Sequence, residues 1–267
     1  MSDVTVGARG ETEVHATALV DPAAELGQGV TIGPWALIGP GVRIGDRVAV
    51  GPRVLIERDT TVGEDCRIAN GAVLGTDPQD LKYKGEKTTL EVGARTVIRE
   101  FATLNRGTSA AGKTIIGSDC LLMAYTHVAH DCELGNHVIL SNAVNMGGHV
   151  LIEDWVTVGG LTPIHQFVRI GAHAFVGGGS RVPQDVPPYC RAAGNPPKLY
   201  GLNTVGLERR GLSEDVRKAL KHAYRILFAS NLNLSQALAQ ADEEGSTIPE
   251  VRHLLEFIRS GERGIVL

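Results

Sequence analysis

The chain has 267 residues and sets 26 lysines and arginines against 30 aspartates and glutamates, a formal charge of −4 that leaves no electrostatic footprint for general nucleic-acid binding. Aromatic residues make up only 4% while glycines number 33, which points to a backbone that turns often and in similar ways. No run of about 18 apolar residues occurs, and the Met-Ser-Asp-Val start has neither a basic nor an apolar leader region, so the expectation is a cytoplasmic protein without an integral membrane segment.

From Val14 an apolar residue recurs every six positions, through Val20, Leu26 and Ile32 to Leu74. The series lapses at Asp80 and Glu86, resumes at Val92, Ile98 and Leu104, lapses at Ala110, then runs unbroken from Ile116 to Val182. It scores 26 of 29 positions, far more than a 43% apolar composition gives by chance. A period of six is neither helical nor a plain alternation. It fits short strands joined by regular corners, the pattern of a parallel β-helix whose stacked coils share an apolar column. The mainly β domain is expected over residues 1–188.

In this phase the apolar residue and the small residue four places on both point inward. Cys66, Cys120 and Cys132 occupy the second kind of slot and are expected in the core. Cys190 lies outside the repeat and no CxxC occurs, so neither a disulfide framework nor a zinc ribbon is supported. Two segments break the phase. Residues 76–89, "TDPQDLKYKGEKTT", read as a loop extruded from the coil, and residues 106–113, "RGTSAAGK", as a smaller excursion. Insertions on solenoids tend to fall on the binding face, which makes the first loop a site candidate.

The segment "YTHVAHDCELG" at 125–135 carries His127 one place before Val128 and His130 two places after it, neither an inward slot. Adding eighteen places Asn145 above His127 and Gly148 above His130, with His149 alongside and Gln166 one coil further. Two chemistries fit. An imidazole, ordinarily titrating near ~6.5, can take a proton from a hydroxyl while a glycine N–H receives a developing oxyanion. Alternatively, His127, His130 and a third histidine could bind zinc, as in a γ-class carbonic anhydrase on the same fold. The polar loop and a helical C-terminal segment are surplus to hydrating carbon dioxide, which favours the base. A non-catalytic solenoid scaffold would leave the clustered histidines without a use.

Beyond Val182, "VPPYCRAAGNPPK" reads as a proline-rich exit. "LSEDVRKALKHAYRILFAS" then shows helical spacing with Ser213 at the N-cap, and "SQALAQADEE" and "IPEVRHLLEFIRS" continue in that style. Residues 189–267 are therefore expected to form a small α-helical C-terminal domain that also caps the solenoid.

Taken in order, "QDLKYKGE", "IREFATLNRGT", "THVAHDCELGN", "HQF", "IGAHAFVGGGS", "QDVPPY" and "GLERRG" resemble the acyl carrier protein–dependent UDP-N-acetylglucosamine O-acyltransferases that open lipid A synthesis. The resemblance spans almost the whole chain. It implies a left-handed β-helix with triangular coils, transfer of a 3-hydroxyacyl chain from the carrier thioester to the sugar 3-hydroxyl, and a homotrimer with sites between subunits. It implies that His130 is the base, Asp131 its neighbouring acid and Gly148 the oxyanion donor. Asp80, Lys82, His127, His149 and Gln166 would contact substrate, and Arg209 would lie near the nucleotide phosphates; Arg210 joins it on charge alone. Gly178 falls where a bulkier residue shortens the acyl channel in some members, and Pro196 where members can carry histidine. No metal or other cofactor is implied, the acyl chain being supplied by the carrier protein. Residues 209–225 hold six lysines or arginines against two acids, a patch suited to an acidic acyl carrier protein.

Overall fold

Short strands of two to four residues follow one another from Glu13–Val14 to Phe175–Val176, paired in parallel from one coil to the next. The pairings sort into three sheets, one for each side of a triangular coil. The first face begins with Glu13–Val14, the second with Leu19–Val20 and the third with Glu25–Leu26. The computed structural model describes residues 10–245 and 247–267. The first nine residues, with which the expected β-helical domain opens, lie outside the described residues.

Register explains the period. Thr31 pairs with Ala49 and Ile32 with Val50, eighteen residues on, so every inward residue sits on its counterpart in the next coil. Ile32, Val50, Ile68, Ile98, Leu122 and Leu140 are all buried in one such column, whereas Val14, Val20 and Leu26 at the open end are less covered. The cysteines fill inward slots as expected, and all four are free and buried. Burial pushes the Cys66 and Cys120 thiols up to about 11 and Cys132 to about 12, so none is a thiolate nucleophile at neutral pH.

The corners correct one inference from composition. Many left-handed corner positions are not glycine: Trp35, Arg47, Asp131 and His149 have φ of 55, 58, 59 and 61°. Such a conformation costs roughly 1–2 kcal/mol in isolation. Here the corner N–H is taken by the previous coil, as from Arg47 to the Gln28 carbonyl at 2.8 Å and from His149 to the His130 carbonyl at 3.1 Å. The glycine that follows the apolar residue serves close approach instead; a Cβ at Gly39 would collide with the Glu57 carbonyl oxygen of the next coil.

Both insertions preserve the phase. Ile68 pairs with Ile98 and Leu104 with Val128, separations of thirty and twenty-four residues, which exceed the coil length by twelve and six. Thr76 and Thr89 belong to the flanking strands Val73–Thr76 and Thr89–Val92, so the extruded loop proper is one residue shorter at each end than its composition suggests.

After Phe175–Val176 the pairing thins to isolated bridges at Val182 and Val186, followed by a hairpin of Cys190–Gly194 and Pro197–Leu202 with Pro196 in its turn. Among the described residues four helices follow: α1 (Thr204–Arg209), α2 (Glu214–Phe228), α3 (Leu234–Gly245) and α4 (Pro249–Arg259). The Ser213 hydroxyl accepts the Val216 N–H at 3.3 Å and caps α2. Leu207, Leu220, Leu254 and Leu255 form a second core among the helices. No helix among the described residues is long and apolar enough to cross a membrane.

Two polar clamps fasten α4 to the coil. Arg169 donates to Asp185 Oδ2 at 2.8 Å and to the Phe257 carbonyl at 2.7 Å, and lies 4.2 Å over the Phe257 ring. His253 sits 2.9 Å from Glu153 and 2.9 Å from the Tyr189 hydroxyl. The hydrogen bond to Glu153 raises the His253 pKa above the ordinary 6.5. A raised folded-state value means this clamp stabilises fully below about pH 6.5 and is lost as pH climbs through the raised value. The Tm gap between the native chain and Glu153→Gln should therefore be wide below about pH 6.5 and narrow as pH climbs through the raised value. A gap that does not change with pH would show that the His253 charge plays no part.

Candidate active site

In-register pairing lines up the outward residues of the second face. Thr103 lies beside His127, His127 beside Asn145 and Asn145 beside Pro163. They help to line a groove of about 610 Å³ that also takes in Tyr125 from one corner and Ala129, His130, Gly147, Gly148 and Gln166 from the other. Gln79 of the extruded loop lines it too, so the insertion reaches the face that carries the histidines.

The His127 Nδ1 lies 2.7 Å from the Thr103 hydroxyl, which leaves Nε2 for a ligand. Burial, with a contribution from His130, holds its pKa below the usual value, so the ring is neutral at pH 7.

His130 and Asp131 turn the next corner, between the second and third faces. The Asp131 N–H is taken by the Thr114 hydroxyl at 2.9 Å. Its fully buried carboxylate accepts the Thr108 N–H at 2.8 Å on one oxygen and the Thr108 hydroxyl at 2.6 Å on the other. The second oxygen also lies 2.8 Å from His130 Nδ1. Burial by itself would raise the Asp131 pKa, but the Thr108 hydroxyl, His130 and the Thr108 N–H outweigh it and leave the group below its ordinary value. An anionic acceptor at this point fixes the proton on His130 Nδ1 and leaves the Nε2 lone pair free, the tautomer a general base requires.

Gly148 lies directly above that ring, since a Cβ there would stand 2.5 Å from His130 Cε1 and 2.7 Å from Nε2. Its carbonyl accepts the Phe167 N–H at 3.1 Å, while no acceptor among the described residues takes its own N–H. His149 stacks on Phe167 at 4.5 Å, meets the His130 ring edge-on at 5.2 Å, and brings Nε2 to 3.6 Å from Asp131.

The zinc alternative rests on a different set from the one assembled here. Donor atoms of His130, Asp131 and His149 converge within 4.8 Å, and His127 is not among them. The shared Asp131 oxygen already receives the Thr108 hydroxyl and His130, so the arrangement is that of an imidazole held by a carboxylate.

Other candidates lie apart. Within the extruded loop Asp80 accepts the Lys82 N–H at 2.9 Å in a tight turn, and neither residue lines the groove. Gly178 stands at the corner between the first and second faces, outside the lining, where a Cβ would come within 3.2 Å of the Gly160 carbonyl. Arg210 bonds the Trp155 carbonyl at 2.6 Å and lies 4.7 Å over the indole, at the corner between the third and first faces. Arg209 beside it is exposed. That corner is across the coil from the groove, so one chain does not bring either arginine to His130. Sequence reasoning passed over Thr108 and Thr103. Both lie in or beside the "IREFATLNRGT" stretch, but their partners are 23 and 24 residues away and no local pattern points to them.

The stacked six-residue coils are those of a hexapeptide-repeat protein, and a family of bacterial transferase hexapeptides matches residues 23–58, 41–76 and 113–148. Residues 185–266 match domain 2 of UDP-N-acetylglucosamine O-acyltransferase. The acyl-(acyl-carrier-protein)–UDP-N-acetylglucosamine O-acyltransferase of Chlorobaculum tepidum is 62% identical over 249 residues, covering 93% of this chain and 94% of that one. Its counterpart in Myxococcus xanthus is 52% identical over 254 residues, covering 95% and 98%. The solved UDP-N-acetylglucosamine acyltransferase of Bacteroides fragilis matches with a TM-score of 0.93 at 40% identity, covering 95% of this chain and 99% of that one. The chain belongs to the UDP-N-acetylglucosamine O-acyltransferase family, and its solenoid is the left-handed parallel β-helix of that family.

Gly148→Ala tests the close packing over His130. The added methyl is expected to push the His130 ring off Asp131 and abolish the low-field Nδ1 proton resonance, with a fall in Tm because the buried carboxylate loses a partner. A resonance that survives would show that the ring has room to spare.

Proposed function

We propose that the protein transfers a 3-hydroxyacyl chain from acyl carrier protein to the 3-hydroxyl of UDP-N-acetylglucosamine, the first step of lipid A biosynthesis, without a metal ion. The observation that carries this reading is His130, whose Nδ1 is held by buried Asp131 and whose Nε2 lies beneath Gly148 in an open groove. Nε2 takes the proton of the sugar hydroxyl as that oxygen attacks the thioester carbonyl. The Gly148 N–H receives the resulting oxyanion. As the intermediate collapses the C–S bond breaks, and the imidazolium returns its proton to the departing thiolate. Asp131 keeps the ring oriented throughout and stabilises its charged form. His127, His149 and Gln166 hold the acceptor in the groove, with Asp80 and Lys82 closing over it from the extruded loop.

Arginines that serve the nucleotide diphosphate would have to come from another copy, because Arg209 lies across the coil from the groove. A cyclic homotrimer supplies that arrangement, each groove facing a neighbour's edge. Leu19 and Leu37 are exposed on the second face, and Leu161 at one of its corners, as an intersubunit surface would require. On α2, exposed Lys221 and Arg225 suit an acidic carrier protein, whereas Lys218 is engaged by Glu214 at 2.8 Å. Such chemistry draws on a cytoplasmic acyl carrier and sugar nucleotide, which is where we place the protein.

The decisive experiment supplies UDP-N-acetylglucosamine and acyl carrier protein thioesters of graded length, with EDTA in a parallel tube. Acylated sugar nucleotide should form at equal rates in both. Loss of turnover with EDTA, together with one tightly held zinc per site by elemental analysis, would establish the metalloenzyme instead. His130→Ala should lower turnover by about 100- to 10,000-fold with the assembly intact; retention of half the activity would remove His130 from the mechanism.

Gly178→Met should shift the preferred donor toward shorter chains while KM for the sugar nucleotide stays put, because the new side chain fills space worth ~0.8 kcal/mol per buried methylene. Competition between carrier-bound acyl groups measures the shift, and an unmoved preference would place the end of the acyl channel elsewhere.

A further inference from the structure

We propose that residues 105–108 act as a positioning brace, holding the extruded loop and the His130–Asp131 pair in one fixed relation. The brace begins in the backbone. The Arg106 N–H bonds the Thr76 carbonyl at 3.0 Å and the Gly107 N–H bonds the Thr89 carbonyl at 3.2 Å, so both ends of the extruded loop are fastened to adjacent residues.

The side chains extend the hold into the loop. Arg106 is only 1% exposed, although it carries a charge. Its guanidinium donates to the Gly75 carbonyl, to the Asp77 carboxylate and, at 3.2 Å, to the Tyr83 hydroxyl, with Glu57 3.6 Å away. Asn105 adds bonds to the Thr76 hydroxyl at 2.8 Å and the Asp77 carbonyl at 3.0 Å. Burying a guanidinium is unfavourable unless its donors are met; Nε finds no partner among the described residues, but both terminal nitrogens are met by groups whose positions must be fixed for Asp80 and Lys82 to point usefully. A lysine, with its charge at a single point, could not serve the Gly75 carbonyl and the loop acceptors together.

Two residues on, Thr108 reaches the other half of the site. Its N–H and hydroxyl occupy the two Asp131 oxygens, the second of which also holds His130. One short, rigid stretch therefore aligns the loop above the groove and the base within it. Arg106 and Thr108 touch no reacting atom in this scheme; they act through the residues they orient.

The inference rests on the proposed roles of the loop and of His130, and the experiment separates the two levels. Steady-state kinetics with UDP-N-acetylglucosamine and an acyl carrier protein thioester are measured on the intact protein. Arg106→Lys should raise KM for the sugar nucleotide about tenfold or more, with a much smaller change in kcat. Thr108→Val should lower kcat about tenfold at nearly constant KM, and Thr108→Ser should restore it. A purely structural contribution would lower apparent kcat in proportion to the folded fraction and leave KM unchanged, so kcat is taken per folded enzyme from circular dichroism; neither the KM rise of Arg106→Lys nor a loss of kcat in fully folded Thr108→Val would then appear. If Arg106→Lys does not fold, Tyr83→Phe removes one loop partner with the arginine in place and should raise KM in the same direction. The brace is overturned if Lys82→Ala raises KM and His130→Ala abolishes turnover while the Arg106, Tyr83 and Thr108 variants behave like the native protein. If Lys82→Ala leaves KM unchanged, the loop's role in nucleotide binding fails and the Arg106 half of the brace falls with it.

Discussion

Everything in this molecule depends on parallel hydrogen bonding between coils held in one register. Because Thr31 pairs with Ala49 and each later coil repeats the step, a residue's place in the sequence fixes both the face it occupies and its height along the axis. The groove follows directly. Thr103, His127, Asn145 and Pro163 come from four coils, yet they form one continuous strip without any loop having to be folded onto it. Rigid support of this kind suits the roles proposed for His130 and Gly148, which come from successive coils, since small displacements of such groups lower rates steeply.

Electrostatics inside that frame is local. Asp131 would be an uncomfortable buried acid, but Thr108 and His130 supply enough donors to keep it ionised. The carboxylate then sets the imidazole tautomer. His127, by contrast, is kept neutral by burial and bonded to Thr103, so neighbouring histidines on one face are prepared for different tasks by their surroundings.

Much of this was legible in the chain itself. The period of six located the core, put the cysteines inside it, and set His130 under Gly148 by simple addition of eighteen. The same arithmetic could not show why the glycines recur. They relieve crowding between coils, while residues such as Asp131 and His149 carry the left-handed corners because the coil below binds their N–H groups or a side chain does so. Contacts that leave the repeat were hidden for a plainer reason. Thr108 meets Asp131, and Arg106 meets Asp77, only because two insertions fold back against the coil, and no periodicity encodes that return. Arg210 stands beside Arg209 in "GLERRG" and fastens α1 against Trp155, a contact that charge alone does not announce.

The Trp155 environment gives the protein an optical property. Its indole lies 3.7 Å from His137 and 6.2 Å from His173 in a stacked column with Arg210 above, while the second tryptophan, Trp35, sits far earlier in the solenoid near Arg53. Burial and Arg210 push His173 down to about 4, so that neighbour carries no charge at physiological pH. Intrinsic emission therefore has two sources with separate meanings, one answering to the early coils and the other to the seating of the C-terminal helices. The order in which the two regions come apart can be followed by light, without attaching a dye.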